Sequence, residues 1–118
     1  MNEFKAEYYK EEDGRKPAKE FMLSQNPKMK AKLFGLVDTL EQYGNQLREP
    51  YSKHLEDGIF ELRAKVGTDI SRVLYFFYYE GRIILTHGFV KKTQKTPPSE
   101  IKKAKQYRKE FLERNGDE

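Results

Sequence analysis

The chain has 118 residues, the length of one domain. It contains no cysteine, which excludes disulfide frameworks, thiolate metal sites and cysteine nucleophiles. Lys plus Arg number 23 against 19 Asp plus Glu, for a net charge of +4, and the excess is not evenly spread. Residues 91–105 hold six lysines and a single acid, Glu100. Such a concentrated patch is the electrostatic footprint of a polyanion partner, although a solubilising lysine face would have the same composition. No apolar run approaches the ~18 residues of a membrane span, and MNEFKAEYYK lacks the apolar core of a signal peptide. The expectation is one domain over 1–118, cytoplasmic, with no membrane partner.

At the N-terminus, Phe4, Ala6 and Tyr8 alternate with charged residues, which predicts a short strand ending near EEDGRK. Pro17 opens a first helix, PAKEFMLSQ, where its missing N–H costs nothing. Asn26 and Pro27 are an N-cap and first helical residue. Met29, Leu33, Leu36, Val37 and Leu40 then form one apolar stripe, and Gly44 ends that second helix. Residues 45–58 show no periodicity and read as a long loop, of a length more often functional than idle. Lys53 and His54 stand in it.

Strand chemistry follows. In IFELRAKV, residues Phe60, Leu62, Ala64 and Val66 make one apolar face and Arg63 belongs to the other. After the Gly67-Thr68-Asp69 turn, SRVLYFFYY is apolar on both faces and reads as a central strand, with Arg72 at its start. Glu80-Gly81 makes a tight turn into RIILTHGFV. Beyond KKTQKT and Pro97-Pro98, a last helix runs from Ser99 to about Arg114. The expected order is β-α-α-β-β-β-α: an α+β domain with a small, mostly antiparallel sheet, two N-terminal helices packed on one side and a C-terminal helix.

The glycines match no phosphate-cradling loop, and no nucleophile elbow is present. His54 with Glu56 and Asp57 is a weak metal-ligand grouping, so no metal or cofactor is expected. What remains is a set of cations on or beside the strands: Arg63, Arg72, Lys91 and Lys92. Hairpin connections would gather them at one end of the sheet. Clustered like charges cost energy unless an anion arrives, so the cluster is a candidate phosphate site; cations scattered over a wet sheet face are the plainer alternative. Arginines on rigid strands suit the phosphorane of RNA self-cleavage, in which a 2′-hydroxyl attacks the adjacent phosphate. A lysine among cations has a lowered pKa and can shuttle protons. His87 titrates in the same range, yet its place within a strand equally suits packing. Tyr75, Phe76, Tyr78 and Tyr79 could stack bases, though a small sheet needs most of them as core.

KHLEDGIFELR, SRVLYFF and ILTHGFVKKTQKTP, followed by a lysine-rich helix, together resemble the RelE/HigB-type toxins of type II toxin–antitoxin systems, in the phage-derived HigB-like branch. The likeness is close over residues 50–112 and extends to element order before residue 45. It implies a compact RelE-like fold and an endoribonuclease that cuts mRNA on the translating ribosome. It also implies a cognate helix-turn-helix antitoxin, and the free toxin is expected to be monomeric. The resemblance maps catalytic roles onto Arg63, Arg72, Lys91 and Lys92, with Arg63 and Arg72 on the phosphate and transition-state charge, and Lys91, followed by Lys92, on proton transfer or leaving-group stabilisation. Lys53, His54, His87, Lys95, Lys102 and Lys103 are expected to contact RNA or the ribosome. Some relatives use a late tyrosine; the only one here, Tyr107, has the helical spacing of a core residue. A non-catalytic RNA- or protein-binding module of the same fold, or a decayed toxin that only binds its antitoxin, are the other readings.

Overall fold

A computed structural model describes residues 3–116; residues 1, 2, 117 and 118 of the expected domain lie outside it. The elements are β1 (Lys5–Tyr8), α1 (Pro17–Ser24), α2 (Pro27–Tyr43), β2 (Ser52–Glu56), β3 (Ile59–Val66), β4 (Asp69–Tyr78), β5 (Arg82–Val90) and α3 (Pro98–Asn115). They form an α+β domain around one five-stranded sheet ordered β1-β5-β4-β3-β2. β1 runs parallel to β5 and every other pairing is antiparallel.

The helix starts are set where capping chemistry places them. Asn26 Oδ1 accepts the Met29 N–H at 2.9 Å, and Pro27 fills the first helical position. Gly44 ends α2 at φ +56°, with its N–H on the Leu40 carbonyl. The α2 stripe of Met29, Leu33, Leu36 and Leu40 is buried against Leu62, Val73, Tyr75, Ile83 and Leu85, together with Ala18 and Met22 of α1. α3 covers the opposite face, where Ala104 and Phe111 join Ile59, Leu74, Phe76, Ile84 and Tyr9. The sheet is thus sandwiched, and the apolar runs of β4 and β5 serve both layers.

Residues 45–58 depart from expectation. Only the first part is loop; β2 pairs with β3 and closes a hairpin through Asp57 (φ +49°) and Gly58 (φ +79°). Asp-Gly with both residues left-handed matches the right-handed twist of the flanking strands. The strand was hidden because β2 is an edge, exposed at Lys53, His54 and Glu56, and carries little apolar alternation. At the β4–β5 turn, Gly81 has φ +73°, and a Cβ there would lie 2.2 Å from the Glu3 carbonyl oxygen. Glycine at this position lets the chain leading into β1 approach the start of β5.

Candidate active site

Alternation and register bring the cations together. Since side chains alternate along a strand, Glu61, Arg63 and Lys65 of β3 stand on the face away from α1 and α2. Antiparallel pairing sets Arg63 directly opposite Arg72, and Arg72 opposite Phe89. One row over, Lys53 faces Glu61, Glu61 faces Leu74, and Leu74 faces His87. Two cross-strand rows therefore hold Lys53, Arg63 and Arg72 on the α3 side of the sheet, around one carboxylate.

That carboxylate, Glu61, is 2% exposed. One of its oxygens lies 3.6 Å from Arg63 Nε and 3.5 Å from Arg72 Nε, and the other accepts a hydrogen bond from the Thr96 hydroxyl. Arg63 also donates to Glu49 at 2.8 Å. Without Glu61, two guanidiniums side by side in a partly dry site would repel strongly. The carboxylate makes their juxtaposition tolerable and fixes their direction. The short side chain of Thr96 ties the segment after β5 back onto the cluster.

The two arginines differ in access. Arg72 is 4% exposed, donates to its neighbour's carbonyl, Ser71 O, at 3.1 Å, and has a buried Nε with no hydrogen-bond partner. Burial lowers its pKa, Glu61 opposes that, and Arg63 adds to it. The Arg63 side chain keeps 26% exposure and can meet a ligand. Lys91 follows β5, its N–H bonded to the Ile70 carbonyl at 2.9 Å. Its pKa is lowered by burial first and then by the field of Arg72, with Arg63 and Lys53 contributing and Glu61 opposing. Four side chains on three strands and the end of a fourth thus share one field, with Arg72 beneath and Arg63, Lys91 and Lys53 toward solvent.

The family model described as Phage derived protein Gp49-like (DUF891) matches residues 20–109. The chain belongs to the Gp49-like family. This is a toxin family of toxin–antitoxin systems within the RelE/HigB-like superfamily, and membership implies an antitoxin partner. No curated protein matches the chain. The matched segment begins in α1 and ends in α3, so it contains Lys53, Glu61, Arg63, Arg72, Lys91 and Thr96 of this Gp49-like domain.

The other expected site residues are dispersed. Lys92 and Lys95 are exposed on the segment after β5, and Lys102 and Lys103 on the outer side of α3. Lys103 Nζ stands 6.0 Å from the centre of the Tyr107 ring. His54 is not part of the cluster. It pairs with Phe60, on the α2 side of the sheet, its ring edge-on to Phe60 at 4.9 Å and its Nε2 accepting the Gly58 N–H at 3.1 Å. Glu56 and Asp57 are engaged by Lys105 rather than by His54. Among the described residues, no three histidine or carboxylate side chains converge as metal ligands.

His87 is on the cluster's side of the sheet but is 2% exposed. Its Nε2 lies 2.9 Å from Glu100 Oε1 and its Nδ1 3.1 Å from the Thr86 hydroxyl. Burial lowers its pKa, with Glu100 opposing. Its observed contacts are those of a packing residue that clips the start of α3 onto β5. Tyr107 stacks on Tyr9 at 4.5 Å and meets His87 edge-on, so its helical spacing indeed marks a packing position. Tyr75 and Phe76 are core, and burial raises the Tyr75 phenol to about 12.

Sequence reasoning missed Glu61, Glu49 and Thr96. For Glu61 the signal was present: it stands two residues before Arg63 and so shares its face. Thr96 and Glu49 come from irregular segments and gave no such signal.

Proposed function

We propose that this Gp49-like chain is the toxin of a type II pair in the HigB-like branch, a metal-independent endoribonuclease acting on mRNA in the translating ribosome. The observation that carries this reading is the convergence of Arg63, Arg72 and Lys91 around the buried Glu61 carboxylate.

The chemistry needs three things. The 2′-hydroxyl must lose a proton as it attacks the adjacent phosphorus, the phosphorane must be stabilised, and the departing 5′-oxygen must gain a proton. Arg63 and Lys53 meet the non-bridging oxygens, and Arg72 adds fixed positive potential from beneath, where water does not screen it. Lys91, with its pKa already lowered, moves the proton at its Nζ. The products are a 2′,3′-cyclic phosphate and a 5′-hydroxyl. Lys92, exposed beside Lys91, backs it. Lys95, Lys102 and Lys103 supply backbone charge toward mRNA and ribosomal RNA, and this term weakens with salt. A helix-turn-helix antitoxin neutralises the chain in the cytoplasm.

Induced expression tests the reading. Growth should stop, and mRNA should carry new 5′-hydroxyl ends within translated codons that vanish when ribosomes are kept off the message. Arrest with intact mRNA would contradict it. The burial of Arg72 favours one rival, a binding module in which the Glu61–Arg72 pair is purely architectural. That rival predicts salt-dependent RNA binding without strand cuts.

A further inference from the structure

On the other side of β2, a cleft of about 620 Å³ lies between the segment after α2 and the strand, lined by Leu47, Arg48, Glu49, Lys53, His54 and Phe60 among others. Its volume is within the ~300–1,000 Å³ of small-ligand sites. Leu47 and Phe60 make it apolar at the base. Phe60 is stacked on Tyr75, with ring centres 5.4 Å apart at 16°, so its plane is fixed. His54 is exposed, and its Nε2 accepts the Gly58 N–H. Arg48 donates from one nitrogen to the carbonyls of Asn45 (2.7 Å) and Leu47 (3.1 Å), which holds the guanidinium at the rim with further donors in hand.

Two lining residues join the cleft to the cluster. Glu49 bonds Arg63 at 2.8 Å, and Lys53 contributes to the field at Lys91. With Glu49 committed to Arg63, the remaining rim charge, from Arg48 and Lys53, is positive. An aromatic wall and a positive rim, linked to the cation cluster through Glu49 and Lys53, are the features that bind single-stranded nucleic acid.

We propose that this cleft is a subsite for one unpaired RNA nucleotide flanking the scissile phosphate, its base against the His54–Phe60 wall and its own phosphate held by Arg48, next to the Lys53 that meets the scissile phosphate. The proposal rests on the endoribonuclease reading and names where its substrate's neighbouring base is held.

The test uses a 2′-O-methyl RNA trinucleotide with a central 2-aminopurine, which cannot undergo 2′-hydroxyl attack. Titrated into the full chain, it should lose fluorescence as the base stacks, and the His54 ring resonances should shift. His54→Ala and Arg48→Ala change exposed residues outside the core, and each should weaken binding by at least about fivefold, the lower end of what one stacked base contributes. On programmed ribosomes the same variants should raise KM more than they lower kcat. Unchanged affinity in both variants, no quenching at millimolar trinucleotide, or shifts at His54 produced by the antitoxin and not by RNA would each overturn the subsite. Cleavage of mRNA with an unperturbed cleft defeats the subsite alone. RNA seated in the cleft of a chain that never cuts defeats the nuclease reading alone.

Discussion

Arg63 and Arg72 face each other across adjacent antiparallel strands, each Nε about equally far from a single Glu61 oxygen, 3.6 and 3.5 Å. The symmetry ends at the surface, because Arg63 is partly exposed and Arg72 is not. Their replacement should therefore have unequal costs. Arg72→Ala removes a buried side chain and leaves the Glu61 carboxylate with Arg63 and Thr96 alone, and should cost about 3–5 kcal/mol of stability. Arg63→Ala gives up pairs that solvent partly screens and should cost under about 1 kcal/mol. Replacing both members of the buried pair, Arg72→Met with Glu61→Gln, should recover much of the first loss. Urea unfolding of the four proteins measures this. Equal costs for the two single variants would mean that Glu61 does not hold Arg72.

Lys91 should show itself in the pH dependence of cleavage. Burial and the neighbouring arginines hold its ammonium below the ordinary 10.5. The inflection that reports its titration should fall below that value: rate rises up to it if the neutral amine takes the proton, and falls beyond it if the ammonium gives one. Lys91→Arg keeps the charge but fixes the proton, so the inflection should vanish and the rate should drop by about 10²–10⁴. A single-turnover profile that is unchanged by Lys91→Arg would remove Lys91 from proton transfer.

Two glycines with similar backbone angles should behave differently. Gly67 (φ +62°) has open space where a Cβ would go, whereas at Gly81 (φ +73°) the Glu3 carbonyl is 2.2 Å away. Gly67→Ala bears only the left-handed penalty, about 1 kcal/mol. Gly81→Ala must also push backbone aside where β1 joins β5, and should cost at least ~1–3 kcal/mol more. Thermal unfolding distinguishes them, and equal shifts in Tm would contradict the close approach.

Buried His87 makes stability pH-dependent. Its folded pKa is below the ordinary 6.5, so above that value both folded and unfolded chains carry it neutral and its contribution is fully present. As pH falls through 6.5 the unfolded chain binds the proton first, and stability falls until the folded ring is protonated too. The slope from this group is at most ~1.4 kcal/mol per pH unit. Between pH 7 and 5, the wild type should lose more stability than His87→Gln, by denaturant unfolding. A variant with the same slope would show that the ring is not held neutral.

The fold class, the central place of β4 and both N-terminal helices follow from features visible in the chain: the Asn26-Pro27 cap, the α2 stripe, and the aromatic run of the central strand. β2 was obscured because an edge strand exposes both its faces, and only the Asp57-Gly58 turn announced it. The cation cluster was legible for Arg63 and Arg72, since strand alternation and the short Gly67 turn force their meeting. With β2 read as loop, the sequence could not separate Lys53 from His54; once the strand is paired, alternation sends them to opposite faces. The burial of Arg72 is a matter of three-dimensional cover by Glu61 and its neighbours, which no local pattern encodes.

The most direct measurement is single-turnover cleavage of mRNA on programmed ribosomes by purified wild type and Arg63→Ala, after both are shown equally folded. The account predicts a fall of about 10²-fold or more, the loss expected when one fixed donor to a developing anionic centre is removed. Cleavage by Arg63→Ala at the wild-type rate would contradict it.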